Sequence, residues 1–192
     1  MDKETRAVKL EAGEFRFADG EKRTLEGYAA VFGAVANLGQ FDEIIEPGAF
    51  TRSLAGGADV RALIDHDPGR IIGRTKSGTL ALEENDHGLW ATVELPETRE
   101  ANDLATLVDR GDLDGMSFGF RTVKDRWETR EGRNVRYLED VDIFDISVVS
   151  FPAYDATEVA LRSLENIQAA GDAEIMRRRY NLMMINNWRM VQ

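Results

Sequence analysis

The stretch Ile71-Ile72-Gly73-Arg74-Thr75-Lys76-Ser77-Gly78-Thr79-Leu80-Ala81-Leu82-Glu83-Glu84-Asn85-Asp86-His87-Gly88-Leu89-Trp90-Ala91-Thr92-Val93-Glu94-Leu95 decides the fold class. It holds three β-prone runs, 71–75, 79–83 and 89–95, separated by Ser77-Gly78 and by Asp86-His87-Gly88. Glycine and aspartate at those breaks supply the backbone freedom of tight turns. Strands spaced by turns every eight to twelve residues are the pattern of a sandwich or barrel.

Working outward, the β character continues on both sides. Upstream, Arg23–Phe32 and Phe41–Ile45 read as strands, the second leading through Glu46-Pro47-Gly48-Ala49-Phe50 into a short helix. Val60–Asp65 is the next strand and ends at His66. Downstream, Ala101, Leu104, Leu107 and Val108 recur at helical spacing, which predicts a helix from Glu97 to about Arg110, stopped by Gly111. Three strands are expected after it, at 114–124, 134–139 and 141–151, with a hairpin tip at Glu131-Gly132-Arg133. Pro152 ends the last one. Beyond Thr157 the pattern predicts two helices, 158–169 and 173–190, joined at Gly171-Asp172; the second carries Met176, Met183 and Met184. The expectation is an α+β chain, mainly β, with a β domain over 1–160 and a helical tail over 161–192.

Composition narrows the function classes. A net charge of −11 opposes nucleic acid as the main ligand, because phosphate binding needs a cationic face, and it favours a basic protein partner. With no cysteine there is neither a disulfide framework nor a thiolate metal site, and folding in the cytoplasm is the economical expectation. No apolar run approaches the ~20 residues of a membrane span, and Met1-Asp2-Lys3-Glu4-Thr5-Arg6 opens no signal-peptide apolar region.

Three residues stand out as chemistry. Ser117 lies in Gly115-Met116-Ser117-Phe118-Gly119, where alternation assigns Met116, Phe118 and Phe120 to a core face and Ser117, Gly119 and Arg121 to the opposite one. The flanking glycines leave room for another backbone or a substrate to approach. His66, in Asp65-His66-Asp67, is one of only two histidines, and His87 falls at a hairpin tip where solvent is the natural neighbour. Both precede Ser117, which excludes a Ser…Asp…His order and leaves a base-first hydrolase open. Asp145 is embedded in the apolar run 141–151, where a carboxylate is costly unless bonded or paired; His66, Arg121 and Arg74 are candidate partners. Each feature has a plain alternative. Ser117 reads equally as a surface serine beside a bulge, His66 as a turn histidine bonded to a neighbouring aspartate, and Asp145 as a solvent-facing residue of an edge strand. Together they fit an acyl-transfer site, with a backbone N–H as oxyanion donor. Asp65, His66 and Asp67 make a poor metal site, since adjacent side chains cannot all point at one ion, and no phosphate-binding loop is present.

The ordered series of motifs resembles the prohead (procapsid maturation) serine proteases of tailed bacteriophages, whose fold is similar to the herpesvirus assemblin protease. The matching stretches are 26–32, 43–50, 63–67 and 72–74, followed by Gly115–Phe120 and Phe144–Tyr154. The resemblance implies a distorted antiparallel β-barrel surrounded by helices, with Ser117 as nucleophile and His66 as base. The third member is implied at Asp145, where the family usually has glutamate; Asp67 and Asp142 are the alternatives. It also implies a homodimer or larger homo-oligomer, no cofactor and no metal. The implied activity is cleavage of major capsid protein and scaffold segments, and of the protease itself, inside the assembling procapsid in the host cytoplasm. The rival expectation is a non-catalytic β-barrel module that scaffolds shell assembly; a small-ester hydrolase is a third.

Overall fold

The structure, a computed structural model, describes residues 3–9, 15–17 and 23–150 and the positions 165, 168, 169, 171, 176 and 177. The chain divides into two compact units, Met1–Asp155 and Ala156–Gln192. In the first, eleven strands are described: β1 (Glu4–Lys9), β2 (Phe15–Phe17), β3 (Thr24–Val31), β4 (Ala36–Asn37), β5 (Asp42–Ile45), β6 (Arg61–Ile64), β7 (Asp67–Arg74), β8 (Leu80–Glu84), β9 (Gly88–Glu94), β10 (Gly115–Arg130) and β11 (Arg133–Val149). Two α-helices join them, α1 (Thr51–Ala55) and α2 (Arg99–Asp109). The two C-terminal helices expected from the sequence lie mostly outside the described residues; the six positions described there are helical.

A closed antiparallel barrel ringed by helices is not what forms. The described strands make two open sheets, one of seven strands and one of four in the order β2-β3-β9-β8. The larger runs β1-β10-β11-β5-β4, with β6 also pairing β11 and β7 pairing β6. It is mixed, because both β5 and β6 run parallel to β11. The reason is the length of β11. Its 17 residues offer one edge to β10 and an opposite edge long enough for two short strands end to end. β5 pairs with Val135–Leu138 and β6 with Asp145–Val148. Between them the entrance to α1 takes over the ladder, with Val141 N–H donating to Ala49 O at 3.0 Å and Ile143 N–H to Ser53 Oγ at 3.2 Å. β11 therefore passes without interruption through the break expected near residue 140, and two long strands replace the three anticipated. The tip between them is Glu131-Gly132, both at positive φ, as a two-residue hairpin turn requires.

The opening stretch is also divided. Residues 71–74 belong to β7 in the larger sheet, while β8 and β9 form a hairpin in the smaller one. A 3₁₀ turn at Thr75–Ser77, closed by Gly78 at φ 74°, carries the chain across. At Gly73 a Cβ would stand 2.8 Å from Val93 Cγ1 and 3.0 Å from Thr79 O, so only glycine lets the sheets approach this closely here.

One core serves both sheets. Phe50 lies 5.3 Å from Phe118, which stacks on Phe120 at 4.9 Å, and all three are fully or almost fully buried. Each such phenylalanine contributes roughly 1.5–3 kcal/mol by leaving water. Ala101, Leu104, Ala105 and Val108 give α2 its buried stripe. Thr98 caps that helix by accepting the Ala101 N–H at 3.3 Å. Among the described residues no helix is long and apolar enough to cross a membrane.

Candidate active site

The site is assembled around β11, which pairs with β10 on one edge and with β5 and β6 on the other. Ser117 and Gly119 project from the same face of β10, and their antiparallel partners on β11 are Ser147 and Asp145. The third contributor arrives from the other edge of β11, where β6 and β7 form a hairpin turned at Asp65-His66. Both turn residues have positive φ, 50° and 57°. Two left-handed residues match the twist of a two-residue hairpin, and Asp and His tolerate the region better than most side chains. The strain, of order 1–3 kcal/mol per residue, needs support from outside the turn. That support comes from β11 and the residue after it. Asp65 N–H donates to Val148 O at 2.9 Å, His66 N–H to Ser147 Oγ at 3.1 Å, and Ser150 N–H to the Asp65 carboxylate at 2.8 Å.

This turn places the imidazole between the other two side chains. His66 Nδ1 is 2.5 Å from Asp145 Oδ1, and His66 Nε2 is 2.6 Å from Ser117 Oγ. With Nδ1–H donating to the carboxylate, Nε2 is left as an acceptor facing the serine hydroxyl. Ser147 Oγ stands 3.2 Å from Nδ1 and backs the same edge of the ring. The hydroxyl of Ser117 has a second acceptor, Arg6 O on β1, at 2.8 Å. One proton is thus shared between two acceptors. A doubly protonated imidazole would donate its Nε2–H to Oγ and turn the hydroxyl proton toward Arg6 O, leaving no base in contact with it.

Ser117 lies on the face of β10 opposite Met116 and Phe118, as alternation predicts, but in different surroundings from those expected. Its side chain is buried rather than surface-facing, because β1 covers that edge of β10 and His66 covers the face. Asp145 is likewise 3% exposed and sits on an interior strand, which removes the solvent-facing edge alternative. Neither candidate arginine pairs with it. Arg74 pairs with Asp59, and Arg121 lies over the Phe144 ring. Its second partner is Lys3, whose Nζ is 2.7 Å from Asp145 Oδ2. Burial pushes the Asp145 carboxyl up, but the bonds from His66 and Lys3 outweigh that and hold it below the ordinary carboxylate range. Of the other candidates, Asp67 is exposed and accepts the Gly69 N–H at 2.8 Å, and Asp142 pairs with Arg52. His87 is exposed at the β8–β9 turn, edge-on to Tyr28.

The glycine beside the serine has a use that its sequence position did not disclose. A Cβ on Gly119 would stand 2.3 Å from Asp145 Oδ2 and 2.8 Å from Lys3 Cε. The room expected for a substrate or a passing backbone is filled by the carboxylate and the lysine stem. Lys3, Arg6 and Ser147 are the participants that sequence reasoning missed. Ser147 carried a signal, being two residues from Asp145 on one strand and so on one face. Lys3 and the Arg6 carbonyl carried none, because nothing local says that β1 pairs with β10.

Next to the site, four buried charges tie β1 down. Arg6 donates to Glu4 at 2.9 Å and to Glu43 at 2.5 Å, and Arg136 donates to Glu4 at 2.9 Å and to Glu43 at 3.0 Å. Burial raises the Glu4 carboxyl, and the two arginines together bring it below its ordinary range. No group of three or more His, Asp or Glu among the described residues is arranged to hold a metal ion.

Comparison with known proteins identifies the family. The profile described as Caudovirus prohead serine protease matches residues 7–170. The chain is 30% identical over 183 residues to the prohead protease of Enterobacteria phage HK97, spanning 91% of this chain and 76% of that protein. Its fold is similar to the solved bacteriophage T4 capsid assembly protease, with a TM-score of 0.54 at 9% identity over 77% of this chain and 96% of that one.

Proposed function

The chain belongs to the caudovirus prohead serine protease family, and from that premise we propose that it cleaves capsid and scaffold protein segments during procapsid maturation through an acyl-enzyme on Ser117. The observation that carries the reading is the unbroken chain Ser117 Oγ–His66–Asp145, with contacts of 2.6 and 2.5 Å. In the first half-reaction His66 Nε2 takes the hydroxyl proton as Oγ adds to the scissile carbonyl carbon. The carbon–nitrogen bond breaks, and the proton passes from Nε2 to the departing amine. In the second half, water gives a proton to Nε2 and attacks the ester, and the proton returns to Oγ as the acid product leaves. Asp145 fixes the tautomer that leaves Nε2 as acceptor and balances the charge on the ring when it is protonated.

The substrates, by analogy with the relatives, are the major capsid protein and the scaffold segments that share the immature shell, and the place of action is the procapsid interior. Self-association and removal of the segment after Arg162 belong to the same proposal. The test is co-expression of the wild type and of Ser117→Ala with the neighbouring capsid and scaffold proteins, followed by mass spectrometry of the products. Discrete new termini in the wild-type sample and none with Ser117→Ala are expected. Equal processing in both would exclude Ser117 chemistry. Intact substrates in both, with the shell assembled, would favour the non-catalytic scaffolding role.

A further inference from the structure

We propose that Lys3, ahead of β1, is a positioning residue of this site, acting on His66 through Asp145; the inference rests on the Ser117–His66–Asp145 reading given above. Three contacts fix the lysine independently of one another. Its Nζ is 2.7 Å from Asp145 Oδ2, the oxygen that His66 does not use. Its ammonium lies 5.2 Å from the centroid of the Phe144 ring. Its stem crosses β10 above Gly119, in the space that any Cβ there would occupy. A surface lysine with no role has no need of a side-chain-free lane in the neighbouring strand.

The chemistry that this contact performs follows from the carboxylate's geometry. An aspartate reaches His66 with one oxygen, and the other must be satisfied or the carboxylate swings. Asp145 is 3% exposed, so water is a poor substitute. Lys3 bonds that second oxygen and supports the first in line with Nδ1.

The other charged groups around the pair are already engaged. Arg61, the register partner of Asp145 on β6, pairs with Asp59 at 3.5 Å. Asp65 is held by Ser150 and Arg70, Asp67 by the Gly69 amide, and Arg6 by Glu4 and Glu43. Lys3 is the described cation that contacts the Asp145 carboxylate directly, and β1 is what brings it there. The sequence Lys3–Arg6 therefore touches the site twice, at the carboxylate through Lys3 and at the hydroxyl through Arg6 O.

The test is the rate at which an organophosphonate probe modifies Ser117, followed by peptide mapping from pH 5 to 9, in the full chain and in Lys3→Met and Lys3→Arg. Lys3→Met should slow labelling of Ser117 several-fold, because the Asp145 oxygen that Lys3 bonds loses its partner. Lys3→Arg, which keeps a cation able to bond the second Asp145 oxygen, should restore most of the rate. Circular dichroism should be unchanged in both variants, and Lys3→Arg should melt close to the wild type. A Lys3→Met profile superimposable on the wild type would overturn the assignment while leaving the serine site intact. Failure of Lys3→Arg to rescue the rate would overturn it too. A wild type unreactive at every pH would overturn the reading of the site itself, and this inference with it.

Discussion

Asp145 and Gly119 face each other across β10 and β11, and the site depends on that pair as much as on the serine. Asp145→Asn keeps the volume but offers His66 the wrong partner for the required tautomer and loses the Lys3 ion pair, so turnover should fall by about 10³–10⁴-fold with the fold intact. Steady-state peptidase assays with a circular-dichroism control would check this. Gly119→Ala is the sharper probe, because its Cβ would lie 2.3 Å from Asp145 Oδ2 and must displace the carboxylate. A displacement near 1 Å is worth up to ~100-fold in rate, and the loss should appear in kcat rather than KM. Activity within twofold of wild type in Gly119→Ala would show that Asp145 need not sit where it does. At this scale the sequence was most informative where residue types were scarce. Two histidines, one serine set between glycines and one carboxylate in an apolar run left few combinations. The Asp145–Lys3 contact was hidden because it joins residues 142 positions apart through a strand pairing that no local pattern announces.

β1 is the element whose removal the account is most sensitive to. It brings the Arg6 carbonyl and Lys3 to the site, and it is anchored by a cluster in which Glu4, Arg6, Glu43 and Arg136 are all almost fully buried. Breaking one partner of such a cluster leaves an uncompensated buried charge, so Glu43→Gln should cost roughly 3–5 kcal/mol of stability, measured by denaturant unfolding. Replacing all four by apolar residues of similar volume should cost far less, and an equal loss in both variants would contradict the explanation. Elements were legible wherever the periodicity was strong, as for α2 and for the hairpin tip at residue 131. They were misread where burial on both faces erased the alternation. The segment of β11 is expected from the sequence as two strands, 134–139 and 141–151, yet its ladder continues through the entrance to α1.

For the molecule as a whole, the two lowered carboxyls predict how stability responds to acid. Glu4 and Asp145 are both held below their ordinary values by cationic partners, against the opposing effect of burial. A depressed folded-state value means the stabilisation is complete above the unfolded value, near 4, and is lost as pH falls below it toward the folded value. Thermal melting should therefore be flat above about pH 5 and drop steeply below about pH 4, and Lys3→Met should weaken the Asp145 share of that drop. The overall architecture was only half readable. Mainly β content with few helices follows from turn spacing, whereas the choice between a closed barrel and two open sheets depends on which strands share β11, a matter of long-range pairing. The family that the motifs resembled is the one to which the chain belongs, and the three side chains they singled out stand in contact. The most direct measurement of the central claim is peptide mapping after reaction with a serine-directed phosphonate, in the wild type and in His66→Ala. The account predicts a single adduct on Ser117 in the wild type and none in the variant. A folded wild type unmodified at Ser117, or equal modification without His66, would contradict it.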